Sequence, residues 1–236
     1  MGNKVLVYTQ ALVPLPGLPV SGEGLRAWSL GEGLRAHGFD VAYALPAPLL
    51  ETLEKSDSGA VAYDPADPGA LIESQGADVL LFAQWPLLAA CGTGGLPVVL
   101  DTYTPLILRQ SLAGGTRALD PATKAMAFGK ADLLLCTGQR QQSYAQAWQL
   151  SAGLRPDDPP AVIVPPALDP EMPAWEPPET PTVVYAAEAA WADPLPGLRV
   201  VADLLADRGV LRVLAGGDEG LPPALRGELG EGAHIE

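Results

Sequence analysis

Residues 4–38 read KVLVYTQALVPLPGLPVSGEGLRAWSLGEGLRAHG, and this stretch decides the fold. It begins with a short apolar run, Val5-Leu6-Val7-Tyr8. A long loop with glycine and proline then leads to Ser21-Gly22-Glu23-Gly24, and a helical pattern follows over residues 25–37. A buried strand, a glycine-bearing turn and a helix in this order form the first unit of a doubly wound α/β domain. The sequence therefore predicts a Rossmann-like parallel sheet.

The glycine turn before the helix has two interpretations. The first N–H groups of a helix lack intrahelical partners, so Gly22 and Gly24 are candidates for a turn that lets an anionic ligand approach. However, Ala27 stands where the dinucleotide fingerprint has its third glycine, and the preceding loop is longer than that fingerprint allows. A plain structural turn is the alternative. The string GEGLRA of residues 22–27 recurs at 31–36, on the opposite face of the helix.

Composition limits the partners of this chain. It has 28 acidic against 14 basic residues and a net charge of −14, which argues against nucleic acid or an anionic membrane as a partner. The two cysteines are expected to be small buried residues, and the two histidines lack a nearby cysteine for a metal cluster. No apolar segment is long enough to span a bilayer and no signal peptide is visible, so we expect a cytoplasmic globular protein.

Apolar runs and helical patterns alternate along the rest of the chain. Strands are predicted at residues 40–45, 60–63, 78–83, 97–101, 131–136 and 161–164, which indicates a parallel sheet covered on both faces. Asp67 with Pro68 and Asp120 with Pro121 are each expected to begin a helix, as N-cap and first-turn residue. A proline-rich linker is predicted at residues 166–181, between a domain at 1–165 and the beginning of a second Rossmann-like unit at 182–236.

Four motifs carry a resemblance to a known family. They are GEGLRAW at residues 22–28 with its continuation at 37–41, Asp101-Thr102-Tyr103-Thr104-Pro105, the segment from Lys124 through Gln139-Arg140-Gln141 to Trp148, and Trp191-Ala192-Asp193-Pro194-Leu195. In this order, and over essentially the whole chain, they resemble a GT-B glycosyltransferase of the large retaining nucleotide-sugar-dependent group.

The resemblance implies an acceptor domain at residues 1–165 and an incomplete donor domain at 182–236. A sugar would pass from a nucleotide-sugar donor to a saccharide or lipid-linked acceptor in the cleft between them, in bacterial surface polysaccharide synthesis. No cofactor or metal is implied, because helix N-termini and basic side chains stabilise the departing diphosphate. The implied donor-binding residues are Gly22, Gly24, Arg26, Trp191 and Asp193, and the implied catalytic residues facing the acceptor are Asp101 and Tyr103.

Departures from the family pattern keep other functions open. Thr104 replaces the second Asp of an Asp-x-Tyr-Asp-Pro motif, and Glu188-Ala189-Ala190 stands where relatives carry glycines. A complete donor domain also needs roughly a hundred further residues, which implies a missing C-terminal region or a partner chain. The alternatives are a non-catalytic sugar- or nucleotide-binding module that works with such a partner, and a GT-B-like epimerase or phosphorylase.

Each candidate residue also has a structural interpretation. Arg26 is expected either to contact an anion or to cover a helix face in solvent. Asp101 is expected either to hydrogen-bond a sugar hydroxyl or to form a turn. Tyr103 and Trp85 stack on a sugar ring or belong to the core. Trp191 touches ligand or anchors its own turn. Lys130 and Arg140 are expected to be surface charges.

Overall fold

The structure is a computed structural model. It describes residues 3–14, 20–51, 60–103, 106–107, 120–166, 179–188, 195–205, 208–216 and 233–235. The chain divides into two compact units, Met1–Pro105 with Leu119–Leu168 and Leu106–Ala118 with Asp169–Glu236. The acceptor and donor roles of the sequence-defined domains stay predictions.

The first unit is built on a seven-stranded parallel sheet. Its strands are β1 (Lys4–Tyr8), β2 (Asp40–Pro46), β3 (Ala60–Tyr63), β4 (Val79–Phe82), β5 (Val98–Asp101), β6 (Leu133–Cys136) and β7 (Ala161–Ile163). The described helices between them are α1 (Gly22–Ala36), α2 (Ala47–Glu51), α3 (Ala70–Gln75), α4 (Trp85–Ala90), α5 (Pro121–Lys130) and α6 (Gln139–Ser151). The spatial order is β3-β2-β1-β4-β5-β6-β7, and every pairing is parallel. The predicted α/β fold class is confirmed.

Strand β1 lies inside the sheet and is buried on both faces, which explains its unbroken apolar run. Val5 and Val7 point to one face, in a cluster with Ala27 of α1. Tyr8 points to the other face, where its ring stacks on that of Phe82 with centroids 4.9 Å apart.

Two helix starts differ from the sequence-based expectation. Helix α1 begins at Gly22, earlier than expected, because Ser21 is extended and its Oγ accepts a hydrogen bond from the Gly24 N–H at 3.2 Å. The prediction that Asp67 caps a helix is wrong, since α3 begins at Ala70. The Asp67 N–H instead donates to the Asp64 carbonyl at 3.0 Å, so this aspartate belongs to the turn before the helix.

Lys130 is not the surface charge that the sequence suggests. Its Nζ donates to the carbonyl oxygens of Leu88, Ala89 and Cys91 at 3.2, 3.0 and 2.8 Å. These carbonyls end α4, where unpaired acceptors and the helix dipole favour a cation. Lys130 therefore ties the end of α5 to the end of α4, whereas Arg140 is exposed as expected.

The second unit contains a three-stranded parallel sheet with one described helix. Its elements are β8 (Thr182–Glu188), α7 (Leu195–Leu205), β9 (Val210–Gly216) and β10 (Ala233–Ile235), with the strands in the order β10-β9-β8. The expected strand–helix–strand is present. Strand β10 has no counterpart in the sequence-based prediction, because three residues around a histidine give no apolar run. None of the helices in the described part of the chain combines the length and apolar content needed to cross a bilayer.

Gly24 and Gly33 give a matched test of packing at α1, because they hold the same place in the two copies of GEGLRA. A Cβ on Gly24 would lie 1.8 Å from the carbonyl oxygen of Leu12, whereas a Cβ on Gly33 would meet nothing within 4 Å. We expect Gly24→Ala to lower the free energy of unfolding by about 1–3 kcal/mol. Gly33→Ala is expected to raise it by about 0.5–1 kcal/mol, since alanine favours a helix. Urea denaturation measures both, and equal effects would contradict the close packing at Gly24.

Candidate functional site

The strand order creates a crevice at one end of the sheet. The chain runs from β1 outward to β3 on one side and then from β4 to β7 on the other. Connections therefore leave the carboxyl ends of β1 and β4 in opposite directions, and doubly wound sheets bind ligands at such a switch point. The candidate site is the group of side chains at this edge of the first unit.

Gln84 links the two sides of the switch point. This residue follows β4, is only 3% exposed, and its Oε1 accepts the backbone N–H of Gln10, which follows β1, at 3.2 Å. Its Nε2 lies 3.5 Å from Oε2 of Glu23, in the first turn of α1. A polar wall of Gln10, Glu23 and Gln84 therefore borders the crevice. None of these three was among the candidate residues, although Glu23 lies in the predicted turn and Gln84 follows a predicted strand at the end where doubly wound sheets bind ligands.

The structure brings Gly22 and Tyr103 together. Gly22 is exposed at the start of α1, and a Cβ built on it would lie 3.2 Å from the Tyr103 hydroxyl. Gly24 has a different environment, because it packs against the Leu12 carbonyl of the preceding loop. The absence of a side chain is therefore needed for loop packing at Gly24, while at Gly22 it leaves the phenol of Tyr103 beside the helix N-terminus.

Arg26 and Asp101 form a buried ion pair beneath this edge. Arg26 is 5% exposed and Asp101 is 2% exposed. The Arg26 Nε donates to Asp101 Oδ2 at 3.1 Å, and Nη2 lies 3.4 Å from Oδ1. The remaining terminal nitrogen, Nη1, donates to the Pro165 carbonyl at 3.2 Å. The guanidinium is thus engaged by protein groups, and the predicted contact of Arg26 with a donor phosphate stays untested.

Burial dominates the electrostatics of Asp101. It raises the pKa of the carboxyl above its usual value, because the charged form loses solvation. The Arg26 guanidinium and the backbone N–H groups of Thr102 and Tyr103 act in the opposite direction. A fully buried carboxylate held in this way positions the chain after β5, and it is not open to solvent as a surface residue would be.

Trp85 belongs to the core and not to a ligand platform. It is 4% exposed, and its indole Nε1 is buried without a hydrogen-bond partner among the described residues. The proposed sugar-stacking role of Trp85 therefore finds no support in its position. Trp191 and Asp193, the predicted donor-side residues, lie outside the described residues.

Lys124 is a second feature that the sequence analysis missed as a site. It is 3% exposed and lies between three rings, with its Nζ at 5.5, 4.5 and 4.2 Å from the centroids of Phe128, Tyr144 and Trp148. Nζ also lies 3.3 Å from the Tyr144 hydroxyl. Burial lowers the pKa of Lys124 to about 7, whereas the rings attract its charged form. The signal in the sequence is the four-residue spacing within each pair, Lys124 with Phe128 and Tyr144 with Trp148.

The described residues contain no candidate metal centre. No three His, Cys, Asp or Glu side chains of the described ranges come together in a way that could hold an ion.

No protein-family model matches the sequence, and no curated protein matches it. The fold does match solved structures. It is similar to a protein from Listeria monocytogenes assigned as a UDP-N-acetylglucosamine 2-epimerase, with a TM-score of 0.58, 13% identity, and coverage of 100% of this chain and 68% of that chain.

It is also similar to UGT89C1 of Arabidopsis thaliana. The complex of that protein with quercetin gives a TM-score of 0.55 at 12% identity, and the complex with UDP-L-rhamnose gives 0.53 at 11% identity. The matches cover 100% of this chain and 69% and 70% of those chains. These are likenesses of fold, and they confirm the GT-B fold that the sequence motifs predict.

The buried pair of Arg26 and Asp101 should contribute to the stability of the protein, which substitution of either residue can test. Removing one partner of a buried pair leaves an uncompensated charge or an unsatisfied acceptor, so Arg26→Met and Asp101→Asn should each lower the free energy of unfolding by about 3–5 kcal/mol. The double variant should lose less than the sum. Arg35→Met is the matched control, because Arg35 holds the same place in the second GEGLRA copy and pairs with a half-exposed Glu32. Arg35 also donates to the Val41 carbonyl at 2.7 Å and lies over the Tyr43 ring. The variant should therefore cost about 1–2 kcal/mol, less than Arg26→Met. Strictly additive losses in chemical denaturation would contradict a direct pair.

The lowered pKa of Lys124 predicts that the stability of the protein depends on pH. Between its folded pKa of about 7 and its ordinary value of 10.5, the unfolded chain binds a proton that the folded chain has released. The free energy of unfolding should therefore rise with pH, by up to about 1.4 kcal/mol per pH unit. Above about pH 9 the opposite trend begins, because burial raises the pKa of Cys91 to about 11 and that of Tyr63 to about 12.

The measurement is the stability difference between the wild type and Lys124→Met at pH 6, 7, 8 and 9. The variant lacks the titrating amine, so the difference should change in favour of the wild type from pH 7 to 9. Parallel curves over this interval would show that the amine stays charged, and that the three rings outweigh the loss of solvation.

Proposed function

We propose that this chain takes part in glycosyl transfer from a nucleotide-sugar to an acceptor hydroxyl. The observation that supports this most is the combination of a GT-B fold with a polar crevice at the switch point of the first unit. A protein of the same fold has been captured both with UDP-L-rhamnose and with quercetin, one a nucleotide-sugar and the other a hydroxyl-bearing molecule. The role of this chain is inferred from that likeness together with its own residues.

The acceptor is proposed to bind at the edge formed by Gly22, Glu23, Gln84 and Tyr103. The Glu23 carboxylate accepts hydrogen bonds from hydroxyl groups, and the Tyr103 phenol both donates and accepts them. The glycine leaves room beside the phenol. These groups suit an uncharged, hydroxyl-rich molecule better than an anionic one.

Asp101 and Arg26 are proposed to act from below this surface. Their mutual bonds occupy both side chains, which favours a positioning role, and their direct contact with acceptor or phosphate stays a prediction. Tyr103 remains the proposed contact residue. Trp191 and Asp193 are proposed on the donor side from the motif resemblance alone.

The reaction proposed is a substitution at the anomeric carbon. The acceptor oxygen forms a bond to that carbon, the bond to the diphosphate oxygen breaks, and the hydroxyl proton leaves to solvent or to a base. The nucleoside diphosphate departs as an anion, stabilised by helix N-termini and basic side chains. A saccharide or lipid-linked acceptor, a cytoplasmic location and a role in bacterial polysaccharide synthesis are finer proposals that rest on the sequence resemblance.

A second candidate is epimerisation of a nucleotide-sugar. The likeness to the Listeria monocytogenes protein, at a TM-score of 0.58, favours it. Epimerisation inverts a stereocentre of the sugar and needs no acceptor, whereas transfer releases the nucleoside diphosphate for every sugar moved. A module that only binds would do neither.

Incubation with UDP-N-acetylglucosamine and with UDP-L-rhamnose separates these functions. Release of UDP, followed by phosphorus NMR, supports transfer or the hydrolysis that accompanies it. A changed sugar with the nucleotide intact supports epimerisation, and binding without turnover supports a binding module. Absence of both binding and turnover for these and other nucleotide-sugars would overturn the proposal.

Tyr103→Ala is the variant that links turnover to the proposed surface. It should lower kcat/KM roughly tenfold or more, which corresponds to about 1.4 kcal/mol of lost transition-state stabilisation. Phe39→Ala is the matched control, because Phe39 is an exposed aromatic residue directly before β2, at the opposite end of the sheet. A similar loss in both variants would show that Tyr103 has no special part in the reaction.

A further inference from the structure

Gln141 ties the first turn of α6 to the residue that precedes the N-cap. The N-cap residue is Gly138, which has no side chain to accept the first helical N–H groups. Gln141 lies in the first turn, and its Oε1 accepts the backbone N–H of Thr137 at 2.7 Å and the Thr137 hydroxyl at 2.6 Å. Thr137 stands one residue before the N-cap, so this contact differs from a capping box, in which the N-cap N–H is bonded. This contact alone is an ordinary structural role.

The other end of the same amide holds the chain that follows β5. Its Nε2 donates to the carbonyl oxygens of both Thr102 and Tyr103, the latter at 2.9 Å. Two acceptor sites and two donor hydrogens of the amide are thus all used. The backbone N–H at one end and the two carbonyls at the other also fix which end carries the oxygen and which the nitrogen.

The contact with Thr137 needs only the oxygen of this side chain. The nitrogen serves the loop after β5, and it does so at the two residues that follow the buried Asp101. The backbone of Thr102 is also held by β6, because its N–H and its Oγ1 both donate to the Leu135 carbonyl, at 2.9 and 2.8 Å. At Tyr103, the carbonyl contact that the structure shows is the one with Gln141.

We propose that Gln141 is a positioning residue that sets Tyr103 against Gly22 at the candidate site. The inference deepens the proposed function and rests on it for the consequence in turnover. The Asp101 pair fixes the strand end, and the Gln141 amide fixes the carbonyl of Tyr103. The Tyr103 hydroxyl is then held beside Gly22 by a single backbone conformation, and an acceptor meets a preorganised phenol.

Gln141→Glu separates the two halves of the amide. The variant keeps the shape of the side chain and the oxygen that bonds Thr137, but it replaces the donating nitrogen by an oxygen that faces two carbonyls. Gln142→Glu is the matched control, since the Gln142 Nε2 donates to the Ala161 carbonyl of β7 at 2.7 Å, away from Tyr103. Gln141→Met, which removes both halves without adding charge, serves as a second variant if the carboxylate prevents folding.

The first readout is fluorine NMR of the chain labelled with 3-fluorotyrosine. The sequence has six tyrosines, and Tyr103→Phe identifies the resonance of Tyr103 by its loss. Without any ligand, Gln141→Glu and Gln141→Met should shift or broaden this resonance while Gln142→Glu leaves it unchanged. An unchanged Tyr103 resonance in both Gln141 variants would overturn the proposal.

The second readout is turnover of the nucleotide-sugar that the wild type consumes. Gln141→Glu should lower kcat/KM roughly tenfold and Gln142→Glu less than twofold. A displaced Tyr103 resonance with unchanged turnover would overturn the role of Gln141 in the reaction. If the wild type consumes no nucleotide-sugar, the proposed function fails, whereas the fluorine spectrum still decides whether Gln141 fixes the ring.

Discussion

A buried ion pair connects the parts of the first unit that form its candidate site. The Arg26 guanidinium comes from the second turn of α1, the Asp101 carboxylate ends β5, and the Pro165 carbonyl follows β7. Burying two charges is costly unless each is compensated, and here the geometry is close to bidentate. The pair therefore fixes the positions of α1, the end of β5 and the segment after β7 relative to one another. The exposed residues above the pair are positioned by these three elements.

Side-chain amides extend this arrangement outward. Gln84 joins the segments after β1 and β4, and Gln141 joins the segments after β5 and β6. Each uses its oxygen for a backbone N–H, so the amides replace the ladder hydrogen bonds that end with the strands. Such contacts let irregular backbone at a sheet edge satisfy its polar groups without more secondary structure. The edge is consequently ordered, while Gly22 remains exposed beside the Tyr103 hydroxyl.

Sequence patterns predicted those features that depend on neighbours along the chain. The apolar run of β1 and the cap formed by Asp120, which accepts from the N–H groups of Ala122 and Thr123, appear where expected. Asp67 failed as a cap because the nearby Asp64 engages it in a turn. Arg26 and Asp101 were both candidate site residues, but their pairing was not predicted, since nothing local distinguishes Arg26 from Arg35 in the repeated GEGLRA. One copy faces Asp101 and the other faces Glu32, and only the tertiary structure decides which.

The bonds that build this edge join residues very distant in the chain. Gln10 and Gln84 are separated by 74 positions, Arg26 and Asp101 by 75, and Arg26 and Pro165 by 139. Contacts of this kind require the closure of large loops, which slows folding and places them late in it. The local pairing of β1 with β2 needs far less chain. During synthesis, the parallel strands β1 and β2 and the helix between them leave the ribosome well before Pro165 does, so the contact of Arg26 with Asp101 and Pro165 can be completed only after the seventh strand has emerged.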